Sequence, residues 1–130
     1  AKARGARRAV LLPVSAPFHC ALMRPAADAM AEALAGVAVV APKVPLVANV
    51  LAAPLVDPAA IRESLVAQVT GTVRWRECVA WMAGQGVATF YELGSGKVLT
   101  GLLRRIAEGA EGIAVGTPDD IAAYRARAGA

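Results

Sequence analysis

Short apolar runs alternate with helix-patterned segments along this chain, and prolines and glycines punctuate them. That alternation is the strongest limit on its fold. Helix and strand in succession, joined by short connections, lead to an α/β architecture with parallel strands. No internal repeat and no long polar linker divides the 130 residues, so they read as one unit. Three or four strands make a thin sheet, and the chain opens directly on one of them, which is the pattern of a part of a larger domain.

Ala6 to Val14 reads as a buried strand with the turn-forming Pro13 near its end. Met23, Ala27, Met30 and Leu34 then share one face of a helix that Pro25 helps to open and Gly36 stops. Val44 to Val50, set off by Pro42 and Pro45, is a second short strand. Asp57-Pro58 has the form of an N-cap followed by a first helical residue, with Ile61, Leu65 and Val69 as the core stripe and Gly71 as the stop. Trp75 to Gln85 is a further helix closed by Gly86, and Val87 to Leu93 is the clearest strand. Gly94-Ser95-Gly96 turns that strand into a helix carrying Val98, Leu102 and Ile106 on one face. Ile113 to Val115 is a last strand, and Thr117-Pro118-Asp119-Asp120 caps a terminal helix.

Composition narrows the class further. Apolar residues make up 57% and charged residues 18%, a balance built for burial and not for disorder. No apolar run approaches the roughly 18 to 20 residues of a membrane-spanning helix. The opening Ala-Lys-Ala-Arg-Gly-Ala-Arg-Arg lacks the hydrophobic stretch of a signal peptide. A soluble, cytoplasmic protein without a membrane partner is expected. Cys20 and Cys78 sit in unrelated contexts without metal-ligand spacing, so buried reduced thiols are expected in place of a disulfide, and no metal site. Lys2, Arg4, Arg7 and Arg8 crowd the first eight residues of a chain with net charge +4. They form either a solvated edge or a surface for an acidic protein partner. Nucleic acid fits poorly, because no aromatics interleave with these cations.

Two segments invite chemistry. Gly94-Ser95-Gly96-Lys97 suggests a phosphate loop, but Tyr91 stands where the first glycine belongs and Val98 where a hydroxyl belongs. A structural strand-to-helix turn is the better reading. The other segment holds His19, the only histidine of the chain. An imidazole titrates near neutrality and is the natural proton shuttle. At the front of a helix it would meet the positive end of the dipole, which favours the neutral, proton-accepting ring. The alternative is a packed or surface histidine without chemistry. Ser15, Ser64 and Ser95 all lack a Gly-x-Ser-x-Gly elbow, so spacing supplies no nucleophile for it.

Pro13-Val-Ser-Ala-Pro-Phe-His19-Cys-Ala-Leu-Met23, Pro25-Ala-Ala-Asp28, Pro45-Leu-Val with Asn49, and Tyr91-Glu-Leu-Gly-Ser-Gly-Lys-Val-Leu-Thr-Gly-Leu102 follow one another in unbroken order. Together they resemble the carboxy-terminal part of malonyl-CoA:acyl carrier protein transacylases, relatives of the acyltransferase domains of polyketide and fatty-acid synthases. The resemblance implies that residues 1–14 hold the last strand of a small ferredoxin-like subdomain. Residues 15–130 would then be the C-terminal part of a larger hydrolase-like, parallel-sheet subdomain, the two making a single incomplete acyltransferase domain.

The same resemblance implies an activity: malonyl transfer from coenzyme A to the pantetheine thiol of acyl carrier protein, in fatty-acid biosynthesis, by a Ser-His ping-pong mechanism. His19 would be the catalytic base, oriented by a backbone carbonyl that falls on Gln68. Phe18 would face the substrate and favour malonyl over bulkier acyl groups, and Arg7 and Arg8 would be candidates for docking the acidic carrier protein. No bound cofactor is implied, coenzyme A entering only as the substrate's thioester. The serine elbow, the arginine for the malonyl carboxylate and the glutamine of the oxyanion hole have no counterpart in these residues. The chain alone is therefore expected to be inactive. The competing expectations are a catalytically inactive module that binds carrier protein and a structural fragment.

Overall fold

The computed structural model describes residues 2–11 and 14–129. Five helices and four short strands follow one another: α1 Arg24–Ala35, β1 Leu46–Ala48, β2 Ala53–Leu55, α2 Pro58–Thr70, α3 Trp75–Gly84, β3 Thr89–Leu93, α4 Val98–Leu103, β4 Glu111–Val115 and α5 Pro118–Ala128. Short 3-10 turns cover Lys2–Arg4 and Ala21–Met23. The class is α/β. Its strands form two separate pairs where one thin sheet was expected. β3 and β4 run parallel in the register Thr89 to Glu111 through Leu93 to Val115, and β1 and β2 form an antiparallel hairpin.

The strand expected over Ala6 to Val14 is absent among the described residues: 6–11 and 14 lie in no strand, and Val10, Leu11 and Val14 are exposed. A strand persists only where a neighbour takes its N–H and C=O groups, and no described strand runs beside this stretch. The turn expected at Pro13 lies outside the described residues.

Helix starts follow local chemistry closely. The Asp57 carboxylate accepts the Ala60 N–H at 2.8 Å with Pro58 in the first turn of α2. Thr117 and Asp120 form a reciprocal capping box at α5, with Pro118 behind them. Which face each helix buries is less local. In α2, Ile61 and Ser64 are buried while Leu65 is exposed; around α4, Leu103 and Ala107 are buried while Val98 and Leu102 are exposed. Ile106, expected on the α4 stripe, lies past the helix end. Both segments carry apolar residues on several sides, so their pattern allows more than one face and tertiary packing selects it.

The core sits between α3, α4 and β3, where Val79, Leu103 and Ala107 are buried and Trp75, Met82, Phe90 and Ile106 pack on them. Burying Val79 and Leu103 is worth about 1.5–3 kcal/mol each. α5 is tied to β3 by Tyr124, edge-on to Tyr91 at 5.2 Å and 83°. The second packed region is α1 on α2, where Ala27 and Ile61 are buried. It brings the segment before α1 beside the end of α2.

Candidate active site

His19 lies in the irregular segment between Val14 and the turn at Ala21, and its backbone φ is +56°. A left-handed conformation costs a side-chain-bearing residue about 1–2 kcal/mol, although histidine adopts it more readily than most. Local bonds hold the bend: Phe18 N–H donates to Ala16 O at 3.0 Å, the Cys20 thiol donates to Pro17 O at 3.0 Å, and Met23 N–H donates to Cys20 O at 3.0 Å. The bend turns the ring back onto α2. There Nδ1 lies 2.9 Å from the carbonyl oxygen of Gln68, 49 residues away in sequence.

That contact fixes the tautomer. A carbonyl oxygen only accepts, so Nδ1 carries a proton, and in the neutral ring Nε2 then keeps its lone pair. Gln68 is in the last turn of α2, whose carbonyls have no partner within the helix, so its oxygen is free for the ring. The helix end that meets His19 is thus the carbonyl end of α2 and not the amino end expected from its place before a helix. α1 itself begins only at Arg24.

The other residues singled out from the sequence are spread differently. Phe18 is adjacent to His19 and 58% exposed, so within this chain it plugs no gap between elements. Arg7 and Arg8 are exposed on the irregular N-terminal stretch. Cys20 and Cys78 are both free thiols, Cys20 half-buried and Cys78 buried. Burial, acting against the thiolate, pushes the Cys78 thiol up, and its Sγ points at Asn49 Oδ1 and Ala48 O. Cys78 is a packing residue.

The Gly94-Ser95-Gly96-Lys97 turn uses positive φ at Gly94 and Gly96, as a tight turn there requires. The amides that would cradle a phosphate at the start of α4 are already bonded: Glu92 accepts Leu99 N–H at 3.1 Å and Thr100 N–H at 2.8 Å. These bonds, that from Thr100 foremost, hold the Glu92 carboxyl below the usual range. Glu92 gave no capping signal in the sequence, because it stands seven residues before the nearer of these amides. An open cleft of about 590 Å³ lies between α4 and β4, bordered by Lys97, Thr100, Arg104 and Glu111. Its lining does not include His19 or Gln68.

Sequence reasoning also missed Arg74 and Glu77. Arg74 precedes α3 and grips Glu77 through two hydrogen bonds at 2.6 and 2.8 Å. Its third guanidinium nitrogen donates to Leu51 O at 2.9 Å, in the β1–β2 turn. The three-residue spacing of an Arg and a Glu at a helix start was the available signal.

Among the described residues, no helix is long and apolar enough to cross a membrane. No family model matches the chain. Individual relatives do. The malonyl CoA-acyl carrier protein transacylase of Salmonella typhimurium is 49% identical over 122 residues, which are 94% of this chain and 40% of the relative. The crystal structure of acyl-carrier-protein-S-malonyltransferase from Bartonella henselae superposes with a TM-score of 0.87 at 55% identity, over 99% of this chain and 41% of that one. A malonyl-transacylase solved in complex with a type II PKS acyl-carrier protein gives 0.82 at 46% identity, over 94% and 40%. This chain thus spans about two-fifths of the length of the relatives it matches. Over that span it belongs to the malonyl CoA-acyl carrier protein transacylase family.

Proposed function

We propose that this chain supplies the histidine half of a malonyl-transferring active site. The observation that carries the reading is the His19 Nδ1 to Gln68 O bond of 2.9 Å, which leaves Nε2 free as a base. The nucleophilic serine, the arginine for the malonyl carboxylate and the oxyanion glutamine come from the part of the relatives that this chain does not span. With them, the chain completes a hydrolase-like subdomain, and its first residues belong to the smaller subdomain.

In the completed enzyme, the serine hydroxyl gives its proton to His19 Nε2 as its oxygen bonds to the malonyl carbonyl carbon. The carbon–sulfur bond then breaks, and coenzyme A leaves with the proton from Nε2. In the second half the pantetheine thiol of acyl carrier protein gives its proton to Nε2, attacks the malonyl ester, and the serine oxygen recovers the proton. Both sulfurs are alkyl thiols of similar basicity, so one base of intermediate strength serves both halves. Gln68 acts only through its main chain, as a positioning residue. No bound cofactor takes part, and the setting is cytoplasmic fatty-acid biosynthesis. Phe18, beside His19, narrows the acyl site in favour of malonyl.

By itself the chain is a structural part without transfer activity. Its exposed Leu11 (97%), Leu22 (75%), Val40 (79%) and Leu93 (77%) favour this reading, since single domains rarely leave so much large apolar surface uncovered. The test is a chimera in which this chain replaces the matching two-fifths of a full-length relative, assayed for malonyl transfer from malonyl-CoA to acyl carrier protein. Transfer by the chimera and none by the isolated chain supports the proposal. A folded chimera that fails to transfer refutes it.

A further inference from the structure

We propose that Arg74 is a positioning residue for His19: it pins the chain at the carbonyl end of α2, and so the Gln68 oxygen that orients the ring. The inference deepens the reading of His19 as the transferring base and rests on it. Last-turn carbonyls are the least constrained part of a helix, so the place of Gln68 O depends on how the chain leaves α2.

That exit is fastened to the β1–β2 turn. At Gly71, a Cβ would stand 2.5 Å from Val50 Cγ2 and 2.9 Å from Ala67 O, so the turn approaches the helix end as closely as a glycine allows. Three residues on, Arg74 N–H donates to Asn49 O at 3.0 Å, and its guanidinium reaches Leu51 O at 2.9 Å. Directly after these anchors the turn passes through Ala52 at φ +53°, a conformation alanine does not hold unaided. Glu77 accepts from the other two guanidinium nitrogens at 2.6 and 2.8 Å.

The Arg74–Glu77 pair is 42% and 52% exposed, and in water such a pair adds little stability. Its effect is geometric. A two-point grip sets the plane of the guanidinium, and the third nitrogen is thereby aimed at the turn. Removing Arg74 should release the end of α2 without unfolding the core around Val79, which leaves Gln68 O mobile and the ring unheld.

The chain has one histidine, so NMR of nitrogen-labelled imidazole gives one set of ring resonances. In mildly alkaline buffer the native chain should show a protonated Nδ1 and a bare Nε2. Arg74→Ala should shift both nitrogens towards the averaged values of an unrestrained histidine, and Arg74→Lys should shift them less. Arg127→Ala breaks a similar two-bond pair, between Arg127 of α5 and Glu111 of β4, and should leave them unmoved. Unchanged ring resonances in Arg74→Ala, or an equal shift in Arg127→Ala, overturn the proposal. If Arg74→Ala loses the α2 amide signals, Arg74→Lys decides by the same criterion. The readout needs no acyl transfer, so an inactive chimera with the expected shifts refutes the function and keeps the positioning role.

Discussion

The Glu92 carboxylate, at the end of β3, accepts the Thr100 main-chain N–H at 2.8 Å and so closes the Gly94–Lys97 turn onto α4. Its second oxygen takes the Leu99 N–H. One side chain thus does for α4 what a local capping residue does for α2 and α5.

Because those bonds favour the ionised form, the folded state holds the Glu92 carboxyl below its ordinary value. A depressed carboxylate contributes stability that is complete above the unfolded pKa of about 4.3 and is lost as pH falls through the folded value. Glu92→Gln should lower Tm near neutrality, and the gap from the native chain should narrow on acidification below about pH 4. Asp120, depressed chiefly by the Gly116 N–H, persists in both proteins, so the comparison isolates Glu92. Melting curves across this range check it; a gap independent of pH contradicts it.

Two glycines should respond with opposite sign. A Cβ on Gly116 runs into the Gly94 carbonyl oxygen, a backbone atom that no rotamer change moves away, so Gly116→Ala should cost about 1–3 kcal/mol. Gly101 lies inside α4, where an added methyl group would meet nothing within 4 Å, and Gly101→Ala should gain about 0.5–1 kcal/mol. Denaturant titration of both variants reads the difference.

His19 is a strained residue. Its φ of +56° suits glycine, so His19→Gly should be more stable than His19→Ala by about 1 kcal/mol, although both lose the imidazole. Thermal melts of the two variants decide this, and a more stable alanine variant contradicts the strain argument.

Arg7 and Arg8 are exposed and suited to an acidic partner. In the active chimera, reversing both charges should weaken transfer to acyl carrier protein while sparing acylation by malonyl-CoA. Separate assays of the two half-reactions test this, and equal loss in both discards the docking role.

Much of this architecture was legible because its signals are local. Asp57-Pro58 and Thr117-Pro118 each act within one helical turn, and Gly94 and Gly96 state the backbone they require. The β1–β2 hairpin was half missed: its turn ends at Ala52, which carries no turn signal, and Arg74, 23 residues after Leu51, bonds the Leu51 carbonyl just before it. Leu65 and Ser64 exchanged places because neighbouring helices, not α2 itself, choose the buried side. The strand over Ala6 to Val14 had the right residues but no described partner. The chemistry was less legible than the fold. Spacing offered His19 without saying what it faces, and Gln68 entered only through the family resemblance, since a main-chain carbonyl leaves no mark on residue choice.

The main-chain role of Gln68 allows the most direct test of the central claim, that His19 is the transferring base and Gln68 serves only through its carbonyl oxygen. The measurement is kcat for malonyl transfer in the chimera carrying His19→Ala or Gln68→Ala. Loss of a general base lowers the rate by about 10²- to 10⁴-fold, whereas an alanine at Gln68 keeps the helix and its oxygen. The expected result is therefore near-complete loss in the first variant and most of the activity retained in the second. Comparable losses in both, or an active His19→Ala enzyme, would contradict the account.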